Sequence, residues 1–190
     1  MDTSALAGPD SDPNVGRHAL HTRRIEMTGY ARDDGLYEVE GRLQDTKTSV
    51  FDAGDGAPVQ PGESVHQMWI RLVYDEHMLV HDVFAGTEAA PYGECSNAPA
   101  ALSKLKGLSM TAGWSQDIRA RLGGALGCTH LTQMLQPMAS TAFQTLSKIR
   151  LSQPSPLDPS GKPYKIDSCW SYAASRNLVK QRWPQFARIE

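Results

Sequence analysis

Apolar and polar residues alternate with a period of two over much of residues 23–86, which is the pattern of strands that bury one face. Four segments show it: RRIEMTGYAR, LYEVEGRLQDTKTSV, VHQMWIRLVYD and HMLVHDVFAG. The first two are joined by a turn of hairpin composition at 32–35 (RDDG), and the last two by a connection at 75–77 that is short enough to force antiparallel pairing. The pattern therefore predicts a four-stranded antiparallel meander.

After residue 91 the apolar spacing changes to three and four residues, which indicates helices. APAALSKLKGL and SQDIRARLGGAL are predicted to be short helices, and THLTQMLQPMASTAFQTLSKI a long one that Pro137 should kink. The apolar face of the long helix contains Leu131, Met134, Leu135, Met138, Ala142, Phe143 and Leu146. The fold class we predict is α+β, with the meander packed on this kinked helix and on the short helices.

Composition divides the chain into three parts. Residues 1–17 hold too few large apolar side chains to offset the entropy of ordering, so we predict a disordered N-terminus, followed by one α+β domain over 18–150. Residues 151–190 begin with the breaker-rich PSPLDPSGKP and then carry Trp170, Tyr172, Trp183 and Phe186. These aromatic residues are expected to pack on the domain or on a second subunit, as in a homodimer.

Charge and targeting signals narrow the class of protein. A net charge of -2 with no basic cluster argues against nucleic acid as the main partner. The N-terminus lacks the basic and apolar regions of a signal peptide, and no later apolar run reaches membrane-spanning length. The three cysteines, Cys95, Cys128 and Cys169, form no paired-cysteine motif and fit a reducing compartment. We therefore expect a cytoplasmic protein that does not bind membranes.

The stretch GCTHL places a thiol and an imidazole at the start of the long helix. Gly127 suits a helix entry, and the unpaired N–H groups of a first helical turn favour an anion or a thiolate. The structural alternative is that Cys128 is a small core residue and Thr129 the N-cap. On one helical turn, the side chains of Cys128 and His130 are expected to diverge, which disfavours a cysteine–histidine nucleophile pair.

Two further positions near strand ends are candidates for chemistry. His66 follows a flexible loop and shares a strand face with Met68 and Ile70, so it is either paired with a backbone group or poised as a ligand or base. Asp45 and Lys47 lie on one face by the two-residue period. They form either a surface ion pair or, if Lys47 is buried, a site where its pKa is lowered.

The set YARDD at the first turn combines several polar residues. Turn formation accounts for Asp33 and Asp34 but not for Tyr30 and Arg32, which suit a phenolic or carboxylate substrate. His21, at the start of the first strand, is expected at the surface or at the sheet edge.

Several unusual sequence motifs occur in this order: HTRRIEMTGYARDDGLYEVEGRLQDTK, PGESVHQMWIRL, APYGEC, LKGLSMTAGW and GGALGCTHLTQML with FQTL. In this the chain resembles the bacterial family known as domain of unknown function 2889, from about residue 18 to residue 148. The resemblance implies that one shared pattern includes Tyr30, Arg32, Asp34, Lys47, His66, Cys128 and His130. It implies no activity.

An enzyme is the first functional hypothesis, because ionisable residues from separate segments would converge beside an apolar pocket. We expect a cofactor-independent lyase of the retro-aldol or decarboxylation type, acting on a hydroxylated aromatic metabolite in its catabolism. An imidazole would remove a proton, and Lys47 or Arg32 would stabilise the oxyanion. The candidate catalytic residues are His66, His130, Lys47, Tyr30 and Asp34. The candidate substrate-binding residues are Arg32, Asp45, Met68, Trp69, Trp114 and Cys128.

Two alternatives remain open from the sequence. The first is a zinc or iron site, or an iron–sulfur module, with soft ligands from Cys95, Cys128, His66 and His130, although their spacing matches no established zinc signature. The second is a structural interaction protein that uses the aromatic C-terminal segment as its interface.

Overall fold

The computed structural model describes residues 15–54 and 56–188. Most of the N-terminal segment that we predicted to be disordered lies outside the described residues. The chain divides into two compact units, Met1–Thr145 and Leu146–Glu190. Among the helices of the described residues, none has the length and apolar character needed to cross a membrane.

The first unit contains the predicted meander. Its strands are β1 (His21–Ala31), β2 (Tyr37–Lys47), β3 (Ser64–Tyr74) and β4 (Val80–Ala89). They pair antiparallel in the order β1-β2-β3-β4, which confirms the predicted topology.

Local chemistry forms the two hairpin turns. In the first, the N–H of Arg32 donates to the carbonyl of Leu36 at 2.9 Å, and Gly35 adopts a φ of 84° that a residue without a Cβ tolerates. In the second, Oδ1 of Asp75 accepts the N–H groups of His77 and Leu79, as aspartate does in many turns.

Helical segments follow the sheet. The longest are a 3-10 helix (Gly93–Leu105), α1 (Trp114–Leu122), α2 (Thr129–Thr145), and in the second unit α3 (Ser147–Ser152) and α4 (Asn177–Arg182). The first is 3-10 rather than α-helical and contains Pro99, which has no N–H to donate. The long helix ends at Thr145, earlier than predicted, and runs through Pro137 without a break, so the kink there stays a prediction.

Helix α2 packs across β1, β2 and β3. Five residues of its predicted apolar face are buried: Leu131, Met134, Leu135, Met138 and Ala142. Phe143 was assigned to this face wrongly and is 42% exposed, since it lies about 120° round the helix from the centre of the buried positions. Gly41 allows the close approach of helix and sheet, because a Cβ there would lie 3.0 Å from the sulfur of Met138.

The second unit has a small core of its own. Ile166, Ala174 and Val179 are buried, and Trp183 and Phe186 pack against them. Trp170 is 77% exposed, with the guanidinium of Arg176 lying 4.0 Å from its ring centroid. The packing of this aromatic segment on the first unit or on a second subunit stays a prediction.

Candidate functional site

A row of polar side chains crosses three strands at one end of the sheet face that α2 covers. Arg23 on β1 lies opposite Asp45 on β2, which lies opposite His66 on β3. A register shift next to Asp45 leaves Val65 as an extra residue in β3. Bulges of this kind re-aim side chains and are common beside active sites. The apolar face of the sheet therefore ends in a charged row.

Asp45 is the centre of this row and has no exposed surface. The Nε and Nη2 atoms of Arg23 donate to its two carboxylate oxygens at 2.7 Å each. His66 Nδ1 lies 3.0 Å from Oδ2, and His21 Nε2 lies 3.3 Å from Oδ1. Burial opposes ionisation, but the hydrogen bonds and charge of Arg23, aided by both histidines, keep the pKa of Asp45 below its ordinary value.

Two imidazoles stack beside the carboxylate. The rings of His66 and His130 lie 3.8 Å apart between centroids, and His130 Nε2 is 4.0 Å from Oδ2 of Asp45. Burial lowers the pKa of both histidines, and for His130 the charges of His66 and Arg23 lower it further. Both are therefore neutral at neutral pH.

The contact with Asp45 determines the tautomer of His66. An ionised carboxylate only accepts hydrogen bonds, so Nδ1 of neutral His66 carries the proton and donates it to Asp45. Nε2 then keeps its lone pair. His66 is a side chain that can accept a proton while a buried anion stabilises the resulting imidazolium.

Cys128 lies directly before α2 and acts as its N-cap, because its carbonyl accepts the N–H of Thr132 at 2.9 Å. The interpretation of Thr129 as the N-cap was wrong. The expectation that Cys128 and His130 diverge was also wrong: Sγ lies 4.0 Å from Nδ1 of His130. Helical directions do not apply to Cys128, since it precedes the first helical residue.

A cleft of about 360 Å³ lies between α1 and the first turns of α2. Gln133 lines it and also accepts a hydrogen bond from Nη1 of Arg23 at 2.8 Å. Arg23 thus connects a residue of the cleft wall to the buried carboxylate of Asp45.

Tyr30, Arg32 and Asp34 are at the opposite end of the β1–β2 hairpin, roughly 24 to 30 Å from the polar row by strand length. Arg32 pairs there with Asp34 and Glu38. Its hydrogen bonds hold the pKa of Asp34 at about 2. The structure thus does not bring these three predicted residues to the histidines.

The remaining predicted residues are dispersed. The ammonium of Lys47 lies 5.3 Å from the ring centroid of Phe51, and the structure shows no ion pair between it and Asp45. Met68 and Trp114 are buried in the core, where Trp114 donates to the carbonyl of Leu135. Trp69 alternates with Met68 and therefore faces the other side of the sheet from His66.

Sequence reasoning missed Arg23, Gln133 and the contact of His21 with Asp45. The sequence predicted the turn at 32–35 but not its register. In the structure Ala31 pairs with Tyr37, and counting back along both strands places Arg23 opposite Asp45. The contact of Gln133 depends on how α2 packs.

The cluster also contains the atoms a metal site would need. Asp45, His66 and His130 offer ligand atoms that all lie within 4.8 Å of one another, and no other such group is found among the described residues. Cys95 and Cys128, the cysteine ligands suggested from the sequence, are not members of this group. Both oxygens of Asp45 already accept hydrogen bonds from Arg23, which opposes a second cation there.

Comparison with known proteins gives a family but no activity. The family model described as "Protein of unknown function (DUF2889)" matches residues 21–144, more than half of the chain. This range includes every residue of the polar row and of the cleft. No curated protein and no solved structure matches the chain.

Proposed function

We propose that this chain, which belongs to the DUF2889 family, is an acid–base enzyme whose chemistry is carried out by His66 and His130. One observation carries the proposal: His66 Nδ1 lies 3.0 Å from a carboxylate that is fully buried and held by Arg23. A carboxylate that only balanced surface charge would not need this burial. Here it orients an imidazole and stabilises its protonated form.

The lowered pKa values favour a reaction that begins with proton removal. In a retro-aldol step, Nε2 of His66 takes the proton of a substrate hydroxyl. The O–H electron pair becomes the second bond of a carbonyl while the adjacent C–C bond breaks. The electron pair of that bond passes to the other carbon, which is then protonated by the imidazolium. A lyase of this type needs no cofactor.

Decarboxylation is less well supported, because its proton must be delivered to the carbon that loses carbon dioxide. A neutral imidazole has no proton on Nε2 to give. Retro-aldol cleavage is accordingly the reaction we favour. An aromatic ring or a carbonyl on the carbon that receives the electron pair would delocalise its charge, which fits a hydroxylated aromatic substrate.

We assign stabilisation of the oxyanion to Arg23 rather than to Arg32 or Lys47, the residues proposed from the sequence. Arg32 is at the far end of the hairpin and paired with two carboxylates. Arg23 uses three of its N–H groups on Asp45 and Gln133, and a guanidinium has five in all. Two remain to contact a substrate oxygen next to the histidines.

The test is a turnover screen with a matched pair of histidine variants. Purified protein is incubated with β-hydroxylated aromatic carbonyl compounds, and the cleaved aldehydes are detected by mass spectrometry. We expect His66→Gln to lower turnover at least about 100-fold. His81→Gln is the control, because His81 also pairs with an aspartate, Asp75, but the side chain of His81 is 41% exposed. Equal turnover in both variants would contradict the proposal.

A metal site is the second candidate, favoured by the proximity of the ligand atoms of Asp45, His66 and His130. Imidazole and carboxylate ligands suit zinc or iron. Elemental analysis of the purified protein and of His66→Ala and His130→Ala separates the candidates. Stoichiometric metal that both variants lose supports the metal site. Full turnover by metal-free protein supports the proposal above.

A further inference from the structure

The cleft between α1 and α2 has walls of two kinds. One wall is the α2 face that carries Thr129, Thr132, Gln133 and Gln136, which recur at helical spacing and present hydroxyl and amide groups. The other includes Ile118 and Leu122 of α1 with the glycines that follow. A polar wall opposite an apolar one suits a flat ligand with polar substituents.

The lining of the cleft carries positive charge and no negative charge. Among its lining residues none is acidic, and Arg119 is the one cation. Within the described part of the chain, no carboxylate pairs with the Arg119 guanidinium. The first turn of α2 adds unpaired backbone N–H groups and contains no acidic residue. The cleft therefore attracts an anion.

Gln133 connects the cleft to the histidine cluster. Its Oε1 accepts from Arg23, which leaves the Nε2 hydrogens to donate, and no described residue accepts them. A ligand oxygen in the cleft can take one. His130 is three residues before Gln133 on α2, between the cleft wall and the buried side of the helix.

We infer that this cleft is the substrate-binding site of the acid–base centre, and that it binds a flat hydroxylated anion with a carboxylate. Arg119 and the start of α2 hold the carboxylate, and Gln133 donates to an oxygen nearer the histidines. This inference rests on the proposed function for its link to catalysis. The binding of the anion itself does not depend on that link.

The glycine at 127 keeps the floor of the cleft narrow. A Cβ on Gly127 would lie 2.8 Å from the carbonyl oxygen of Leu122, closer than real side chains approach. The loop after α1 therefore packs directly against its last turn. This geometry brings Arg119 and the start of α2 to the same cleft.

The experiment measures binding of 4-hydroxybenzoate and of the neutral 4-hydroxybenzyl alcohol by calorimetry. Arg119→Gln removes the charge in the cleft, and Arg121→Gln removes one from the same helix outside it. We expect Arg119→Gln to weaken 4-hydroxybenzoate binding about tenfold or more, with little change in Arg121→Gln. The alcohol should bind weakly to all three proteins.

Three results would overturn the inference: no 4-hydroxybenzoate binding to the wild type at millimolar concentration, equal losses in the two arginine variants, or equal affinity for the alcohol. His66→Gln separates this inference from the proposed function. It should bind 4-hydroxybenzoate as the wild type does while losing turnover. If it binds and also retains full turnover, the proposed function fails and the binding site remains.

Discussion

Arg23 and Asp45 face each other across β1 and β2 and are joined by two hydrogen bonds of 2.7 Å, although the aspartate is fully buried and the arginine side chain is 32% exposed. The pair therefore holds a charge in the protein interior at a sheet end where apolar packing would stabilise more. The stability lost by keeping this charged pair in place of apolar packing is explained if the carboxylate is needed to orient His66.

Replacing Asp45 by asparagine should destabilise the protein by about 2 to 3 kcal/mol. Breaking a buried ion pair costs about 3 to 5 kcal/mol, and the partial exposure of Arg23 reduces this. Urea unfolding monitored by circular dichroism gives the value. Asp33→Asn, at an exposed position of the first turn, is the control and should cost less than about 1 kcal/mol. Equal losses would show that Asp45 has no special role in stability.

Stability should fall on acidification below about pH 6.5. The pKa values of His66 and His130 are lowered by folding, so below about pH 6.5 the unfolded chain binds protons more readily than the folded protein, and the loss of stability grows as the pH falls towards the folded pKa values. Asp45 has a lowered pKa as well, and its contribution is lost only below about pH 3.8. The loss of stability that begins at about pH 6.5 therefore belongs to the histidines.

The free energy of unfolding between pH 5 and pH 8 tests this. His66→Gln and His130→Gln should each flatten the dependence, whereas His77→Gln on an exposed turn should leave it unchanged. A wild-type protein with constant stability over this range would contradict the assignment of neutral, buried imidazoles.

Gly29 on β1 should not tolerate a side chain. A Cβ there would overlap the side chain of Thr145 on α2. We expect Gly29→Ala to cost about 1 to 3 kcal/mol through overpacking. Combining it with Thr145→Ala should recover part of the loss, because the second change removes the overlapping atoms. Thermal unfolding of both single variants and the double variant measures the coupling; strictly additive effects would refute the contact.

Cys128 should be dispensable for turnover. Its thiol approaches His130 only to 4.0 Å, and the aspartate orients His66 instead. Cys128→Ser is expected to keep turnover within about threefold of the wild type, since the change conserves size and leaves the His66–Asp45 pair intact. A 100-fold loss in the same aldehyde assay would instead support a thiol nucleophile.

The local elements of this fold were readable from the sequence. A two-residue alternation and turn residues such as Gly35 act over a few positions, and they predicted the four strands and their order. Helical spacing predicted five buried residues of α2 but misplaced Phe143. Only some of the predicted site residues lie together. His66 and His130 are close to Asp45, whereas Arg32 and Tyr30 lie at the other end of the hairpin.

By itself the sequence determined which segments become strands and helices. The pairing of Arg23 with Asp45 follows from the register that the structure gives to the β1–β2 hairpin. Only the tertiary structure decided that His66 joins them, because the connection at 48–63 and the bulge at Val65 set the β2–β3 register. The packing of α2 on the sheet decided that His130 stacks on His66. Contacts between distant segments depend on the whole core, and no short stretch of sequence encodes them.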